Sequence, residues 1–392
     1  MRDCYAEVAG WMAKLGMAVR IDAAGNLRGT YPAEKPDAPI LLIGSHLDTV
    51  PVAGAYDGVL GVILGLTIAE ALDGRKLPFA IEIVGFSEEE GVRFGCPFIG
   101  SRALVGRLDH DLLSRQDVAG ISIAQAIEDF GLSLSDLPQA RLDDKVFSYL
   151  EFHIEQGPVL ESLSLPLAAV TAIAGQTRME FTFHGQSNHA GTTPMNLRHD
   201  ALAGAAEWIA NVERAAQQIV GLVATVGKID ARPGATNVIA GEVRVSLDVR
   251  HGLDEVRKTA VKDLILLAQE IARKRGLGLT STENLDQAAV SMNPALVAEI
   301  ERAISHAGAP PHRMISGAGH DAMIIAEKIP SAMIFLRTPG GVSHHPSESV
   351  ALEDVEKAIE CGMHLLNQLA SATAFQEHPH FDRTLQERNS RA

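Results

Sequence analysis

Pro39-Ile40-Leu41-Leu42-Ile43-Gly44 is a short apolar run closed by proline on one side and glycine on the other. A run of this length with no alternation reads as a strand buried on both faces. Gly58–Leu72, which follows, is apolar over the length of a helix, and Phe79–Phe86 is a second buried strand. Strand, helix, strand is the βαβ rhythm of a mostly parallel sheet covered by helices. The alternation continues to about residue 173, interrupted by Arg107–Lys145, which reads as helical, polar and on the surface.

A different rhythm begins near Gly175. Arg178–His184 alternates polar and apolar strictly, as a strand with one exposed face does. A helix over about His199–Ala216 follows, then strands Leu222–Asp230 and Glu242–Arg250. A second helix over about Leu253–Arg275 leads to a last strand near Gly278–Glu283. The order β-α-β-β-α-β is that of the ferredoxin-like split motif. It divides the chain into an α/β part over 1–173, an inserted α+β domain over 174–285 and a second α/β part over 286–392. The α/β pattern runs to Leu369, and the polar tail from Ala374 is expected to fray. The helical pattern over Tyr5–Leu15 starts with no capping residue, so an earlier segment is expected before it.

Of 392 residues, 46% are hydrophobic and 21% charged, the balance of a globular chain large enough to hold a buried polar site rigidly. The net charge of -15 argues against nucleic acid or an anionic membrane as partner. It leaves room for a small anionic substrate in one locally positive cleft. Cys4, Cys96 and Cys361 are far apart and show no C-x-x-C spacing. Neither a disulfide framework nor a thiolate zinc site is expected, and a reducing cytoplasm is the simpler setting. Nothing reads as a signal peptide, and the apolar run Val59–Ala69 falls short of the roughly 18 residues of a membrane span.

Histidines and carboxylates collect at or beyond the ends of these strands. In Gly44-Ser45-His46-Leu47-Asp48-Thr49-Val50, His46 follows the first buried strand. Asp48 is placed to accept its second ring N–H, which would fix the tautomer and raise basicity. Asp57, in Ala55-Tyr56-Asp57-Gly58, opens a helix, where free backbone N–H groups hold a carboxylate. Glu88-Glu89-Glu90 after the second buried strand repel one another unless cations compensate them. Glu151-Phe152-His153-Ile154-Glu155-Gln156 and Gly340-Gly341-Val342-Ser343-His344-His345-Pro346-Ser347-Glu348 complete the set.

Each segment alone is ordinary: a histidine after a strand is usually a core or surface residue, and a glutamate triplet a solvated turn. Together, at the strand ends of one α/β domain, they favour a metal site, because ligands of open α/β sheets gather there. Imidazole and carboxylate without thiolate suit zinc, or manganese where oxygen dominates. The chain has no G-x-S-x-G elbow, P-loop, G-x-G-x-x-G or H-E-x-x-H motif.

These segments (44–50, 55–62, 87–94, 153–161 and 341–348), with Asn188-His189-Ala190-Gly191-Thr192-Thr193-Pro194-Met195, resemble the allantoate amidohydrolase / N-carbamoyl-L-amino-acid hydrolase group. That group belongs to the aminoacylase- and carboxypeptidase-G-like superfamily of co-catalytic zinc enzymes. The resemblance runs in order from about residue 10 to 370. It implies an α/β, mostly parallel-sheet catalytic domain, with the inserted ferredoxin-like α+β domain serving as lid and dimerisation module. It implies two divalent ions per subunit, Zn2+ or Mn2+: His46 and His153 on one, Glu90 and His344 on the other, Asp57 bridging. His345 is then a neighbour and not a ligand.

By the same resemblance Glu89 is the general base and His189 stabilises the oxyanion. Asn237 and Arg250 grip the substrate carboxylate, Gln156 contacts the ureido group and Gly319 lines the pocket. A homodimer formed through the inserted domain would let His189 and Asn237 complete the neighbouring subunit's site. Two departures stand out: Ala240 replaces a proline usual after the Asn loop, and the chain starts without a helix the family normally has.

The segments Phe86–Phe94, Gly100–Leu104 and Ala172–Gly175 look more like allantoate amidohydrolases than carbamoylases. The expected reaction is therefore allantoate to ureidoglycine, ammonia and carbon dioxide. The alternatives are N-carbamoyl-L-amino acids, ureidoglycolate or beta-ureidopropionate. A non-catalytic member that binds a ligand or partner through the same cleft would be expected to have lost Glu89 or a ligand, and all are present.

Overall fold

The structure, a computed structural model, describes residues 2–371; the tail from Ala374 lies outside the described residues. The strands in chain order are β1 (Ala18–Ile21), β2 (Leu27–Tyr31), β3 (Ile40–His46), β4 (Ala80–Phe86), β5 (Val146–Ile154), β6 (Leu167–Ile173) and β7 (Gly175–His184). They continue with β8 (Val223–Thr225), β9 (Ile229–Arg232), β10 (Glu242–His251), β11 (Gly278–Gln287), β12 (Val290–Ser291), β13 (Arg313–Ser316) and β14 (Ser331–Leu336). The described residues form two compact units, one of residues up to 171, 292–314 and from 320 on, the other of 172–291 and 315–319. No helix among the described residues is long and apolar enough to cross a membrane.

In the first unit the sheet order is β1-β2-β4-β3-β5-β14-β6. The central strands β4, β3, β5 and β14 run parallel, whereas β1, β2 and β6 join antiparallel. The sheet is thus mixed, with its parallel part at the centre. β3, β4 and β14 are buried along nearly their whole length, which is why they read as unbroken apolar runs. The helix Val59–Glu70 is apolar all round and buried at eight of its twelve positions, so it lies inside the unit. A Cβ on its Gly61 would collide with the Phe152 carbonyl, so glycine lets this helix lie directly on β5. At the carboxyl end of the parallel strands lie His46, Ser87 to Glu90 and His153.

Arg107–Lys145, expected to be helical, forms only short pieces: His110–Leu113, Ile123–Phe130 and the 3-10 turn Leu134–Ala140. Asp109 and Ser122 cap the first two by accepting from Leu112 N and Gln125 N.

The second unit is an antiparallel sheet in the order β11-β7-β10-β8, with β9 on the far end of β10. Helices Ala201–Gln218 and Asp254–Arg275 cover one face. β7 buries alternate residues, and Phe181 and Phe183 meet Trp208, whose Nε1 donates to Leu264 O at 3.0 Å. The single strand expected over Leu222–Asp230 is broken in two: around Gly227 the ladder yields, and Lys228 N donates to the Ser246 hydroxyl at 3.0 Å. The unit also outruns the expected 174–285. β11 passes a register shift between Glu283 and Leu285 and ends at Gln287, and β12 pairs back onto Ala172 and Ile173.

Candidate metal and catalytic site

His46, the last residue of β3, sets Nδ1 at 2.9 Å from Asp48 O. His153, near the end of β5, sets Nδ1 at 2.9 Å from Ile154 O. A backbone carbonyl takes only a donor, so both rings carry a proton on Nδ1 and turn Nε2 inward. The two Nε2 atoms lie 3.4 Å apart and 3.6 and 3.1 Å from Asp57 Oδ1. The other Asp57 oxygen, Oδ2, is 3.0 Å from His344 Nε2, which is 3.7 Å from Glu90 Oε1. Among the described residues four candidate donor groups form, and two of them, His46-Asp57-His153 and Asp57-Glu90-His344, share Asp57; the others are His46-Glu89-Glu90 and Glu151-His153-His320. His345 turns aside to Ser347 Oγ at 2.7 Å.

The donor set fits a divalent cation. Two imidazole nitrogens and a carboxylate oxygen lie within 3.6 Å of one another, and Glu90 Oε1 is buried with no hydrogen-bond partner among the described residues. The protein alone leaves the charges strained. Burial disfavours a charged His46, but the carboxylates of Glu89, Asp57 and Asp48 outweigh it and push its pKa well above the usual value. Burial would raise Asp57, yet hydrogen bonds from His153 and His46 hold it far below the carboxylate range. Glu89 is pushed well up by burial, with His46 opposing and Asp321 and Glu90 adding. Burial also raises Glu90.

Asp48 differs from expectation. Its backbone carbonyl, not its carboxylate, meets the His46 ring, with the nearer carboxylate oxygen 3.8 Å away. The carboxylate instead accepts Glu89 N and Glu90 N, each at 3.0 Å, because the turn after β4 presents two free backbone donors there. Gln156 donates to Asp57 Oδ2 at 2.8 Å and Ser343 Oγ at 3.3 Å, leaving its buried Oε1 without a hydrogen-bond partner among the described residues.

The remaining expected residues belong to the second unit. Gly191 N donates to His189 Nδ1 at 3.0 Å, so the ring's proton sits on Nε2. Asn237 is tied to the same loop through Ala190 N donating to Asn237 O at 2.9 Å. Arg250 on β10 is held by Asp248 at 2.9 and 3.0 Å and by Gly317 O at 2.8 Å. Gly319 ends the segment 315–319 of the same unit. Ala240, in the place of the expected proline, is buried, and its carbonyl accepts Ala201 N at 3.1 Å.

Sequence reading missed Glu348, Glu151 and His320. Glu348 accepts Tyr56 N at 2.9 Å and Asp57 N at 3.1 Å through Oε1 and the Ser343 hydroxyl at 3.1 Å through Oε2. Glu151 accepts Ser45 Oγ at 3.0 Å and Ala322 N at 2.9 Å, and His320 meets His153 edge to face with ring centroids 4.4 Å apart. Burial and the neighbouring His153 push His320 well below the ordinary histidine value. A signal for Glu151 existed: it stands two residues before His153 on one strand, hence on the same face of the sheet.

An α/β sheet with paired imidazole-carboxylate donor groups at its carboxyl edge defines a metallohydrolase class, and the comparisons place the chain within it. Residues 42–368 match the model of peptidase family M20/M25/M40, and the chain belongs to that family. It is an amidohydrolase, as the motifs implied. It is 42% identical to an N-carbamoyl-L-amino acid amidohydrolase of Geobacillus stearothermophilus, over 93% of this chain and 90% of the relative. It is 38% identical to an allantoate deiminase of Arabidopsis thaliana, over 93% and 75% of the respective chains. To the allantoate amidohydrolase of Escherichia coli it is 34% identical, over 92% and 88%. A solved hydantoinase/carbamoylase family amidase from Burkholderia multivorans superposes with a TM-score of 0.88 at 32% identity, covering 93% of this chain and 89% of that one.

The Glu348 carboxylate ties the Asp57 backbone to the loop bearing His344, so Glu348→Ala should weaken divalent-cation binding about 10–100-fold. Chelator competition on the folded variant measures this, and unchanged affinity would show that Glu348 does not order the donor groups.

Proposed function

We propose that the chain hydrolyses the C–N bond between a ureido carbonyl and its substituted nitrogen on a small anionic substrate, with allantoate as that substrate. The observation that carries the reading is the sharing of Asp57 between two donor groups, with Glu89 Oε2 4.0 Å from His46 Nε2 at their edge. His46, His153 and Asp57 would hold one divalent ion and Asp57, Glu90 and His344 a second; Zn2+ or Mn2+ suits these donors. When bound, such a pair supplies Lewis acidity to the carbonyl oxygen and lowers the pKa of water.

The chain's own groups do the rest. Glu89 takes a proton from the attacking water and delivers it to the leaving nitrogen. The freed carbamate then breaks down to ammonia and carbon dioxide, leaving ureidoglycine. His189 donates its Nε2–H to the oxygen that gains charge. Asn237 and Arg250 hold the substrate carboxylate, with Asp48 fixing the backbone on which Glu89 stands. Gln156 Oε1 accepts a ureido N–H, and Gly319 lines the pocket. The 42% identity to the Geobacillus enzyme favours a second reading, an N-carbamoyl-L-amino acid as substrate.

Glu89→Gln should keep fold and metal content while kcat falls by about two to four orders of magnitude. If Glu90→Gln retains the metal and Glu89→Gln loses it, in elemental analysis, the two roles are exchanged.

The proposal extends to a homodimer through the inserted domain, in which His189 and Asn237 serve the neighbouring subunit. Mixing inactive Glu89→Gln and His189→Ala chains should then restore activity, as mixed dimers carry one intact composite site. No recovery after verified subunit exchange would mean that each chain is self-sufficient.

Allantoate carries a second ureido arm where a carbamoyl amino acid has its side chain. A site built to hydrogen-bond that arm should favour allantoate over N-carbamoyl-methionine by about four orders of magnitude in kcat/KM. Comparing allantoate, N-carbamoyl-methionine and ureidoglycolate at one pH and metal loading decides it. A win for the apolar carbamoyl amino acid would transfer the assignment to the second reading.

A further inference from the structure

We propose that Asn26 is a positioning residue for Glu89, acting through the backbone of Ser87; this rests on the reading of Glu89 as the base. Asn26 precedes β2 and Ser87 follows β4, and the antiparallel pairing of Leu27 with Gly85 sets them side by side. The Asn26 side chain is fully buried and uses both ends. Its Oδ1 accepts Ser87 N at 3.1 Å, while Nδ2 donates to Asp22 Oδ2 at 2.9 Å and Gly100 O at 3.2 Å. A carboxamide supplies one acceptor and two donors in that arrangement. A carboxylate would face the Asp22 carboxylate and the Gly100 carbonyl.

The stretch Ser87–Glu90 has no regular ladder, so its shape depends on individual bonds. Ser87 O accepts Gly100 N at 2.9 Å, Glu88 O accepts Ile99 N at 3.1 Å and Glu89 O accepts Phe98 N at 3.0 Å. Asp48 takes Glu89 N and Glu90 N. Between these ties Glu88 sits at φ +53°, a left-handed conformation that relaxes once the flanks are free. Asn26 is the tie where the turn leaves β4. Gly100 closes the contact from the other side: a Cβ there would come within 2.7 Å of Ser87 N and O and press on Asn26 Oδ1.

The test assays Asn26→Ala and Gly100→Ala, each alone and in the Glu89→Gln background, with metal content and thermal unfolding measured on every variant. Each change alone should lower kcat about 10–100-fold with KM within about twofold, the signature of a misplaced reacting group. In the Glu89→Gln background each should lower kcat less than about twofold, because no base remains to be misplaced. Equal losses in both backgrounds would overturn the proposal, whatever the change in unfolding temperature. Should Asn26→Ala not fold, Gly100→Ala carries the same cycle. If Glu89→Gln leaves kcat intact, the base assignment falls first, and the positioning role with it.

Discussion

The carboxylate of Asp57 lies within reach of three imidazoles, and much of the first unit serves to keep it there. Oδ1 faces His46 and His153, and Oδ2 faces His344 while accepting from Gln156, with the Ser343 hydroxyl 3.1 Å away. A buried carboxylate costs several kcal/mol unless paired and hydrogen-bonded, so this one tolerates no vacancy around it. Its place follows from the helix Val59–Glu70, which starts two residues later and rests on β5 because Gly61 has no side chain. β5 also carries His153. The distance between aspartate and histidine is therefore set by helix-on-sheet packing, well below the polar site itself.

That coupling makes the acidic cluster affordable. Glu89, Glu90 and Glu151 are all raised by burial, and the charge of Glu90 raises Glu89 further. In the proposed reading, cations reverse this: the groups that burial pushes toward the neutral form become ligands and a base held in the charged form. Burial moves the pKa of His320 the other way, downward, which again favours the neutral form, and the ring meets His153 edge-on without adding charge.

The buried parallel strands were legible because burial on both faces leaves an apolar run that needs no partner to be recognised, as at Ile40–Ile43 and Phe79–Phe86. Histidines and carboxylates at the ends of such runs were legible for the same reason. What escaped depends on distance along the chain. Glu348 secures the backbone of Asp57 across 291 residues, and nothing near either residue announces it. Asp48 was misread because a spacing of two suggests a side chain reaching back, whereas its own carbonyl was nearer and its carboxylate had two donors elsewhere. The break between β8 and β9 likewise turns on a Ser246 hydroxyl one strand away.

Left-handed backbone at non-glycine residues recurs around the site, at Glu88, Gln156 and His344, with φ of 53°, 58° and 56°. Each costs about 1–3 kcal/mol and persists only where neighbours over-determine it. Gln156 is held by its N–H donating to Thr338 Oγ1 at 3.1 Å, just after Glu155 N donates to Leu336 O. Glu88 lies between the ties of Ser87 and Glu89, and His344 precedes a turn closed by Glu348 N donating to His345 O at 2.9 Å. Glu88 and Gln156 come two residues after the central strands β4 and β5, where the chain turns at once to keep a side chain over the sheet edge, whereas His344 lies eight residues beyond β14, past the turn Pro339–Gly341. A relaxed loop would carry the same residues outward into solvent, so the strain is the cost of converging donors from β4, β5 and β14 on the aspartate that opens the buried helix.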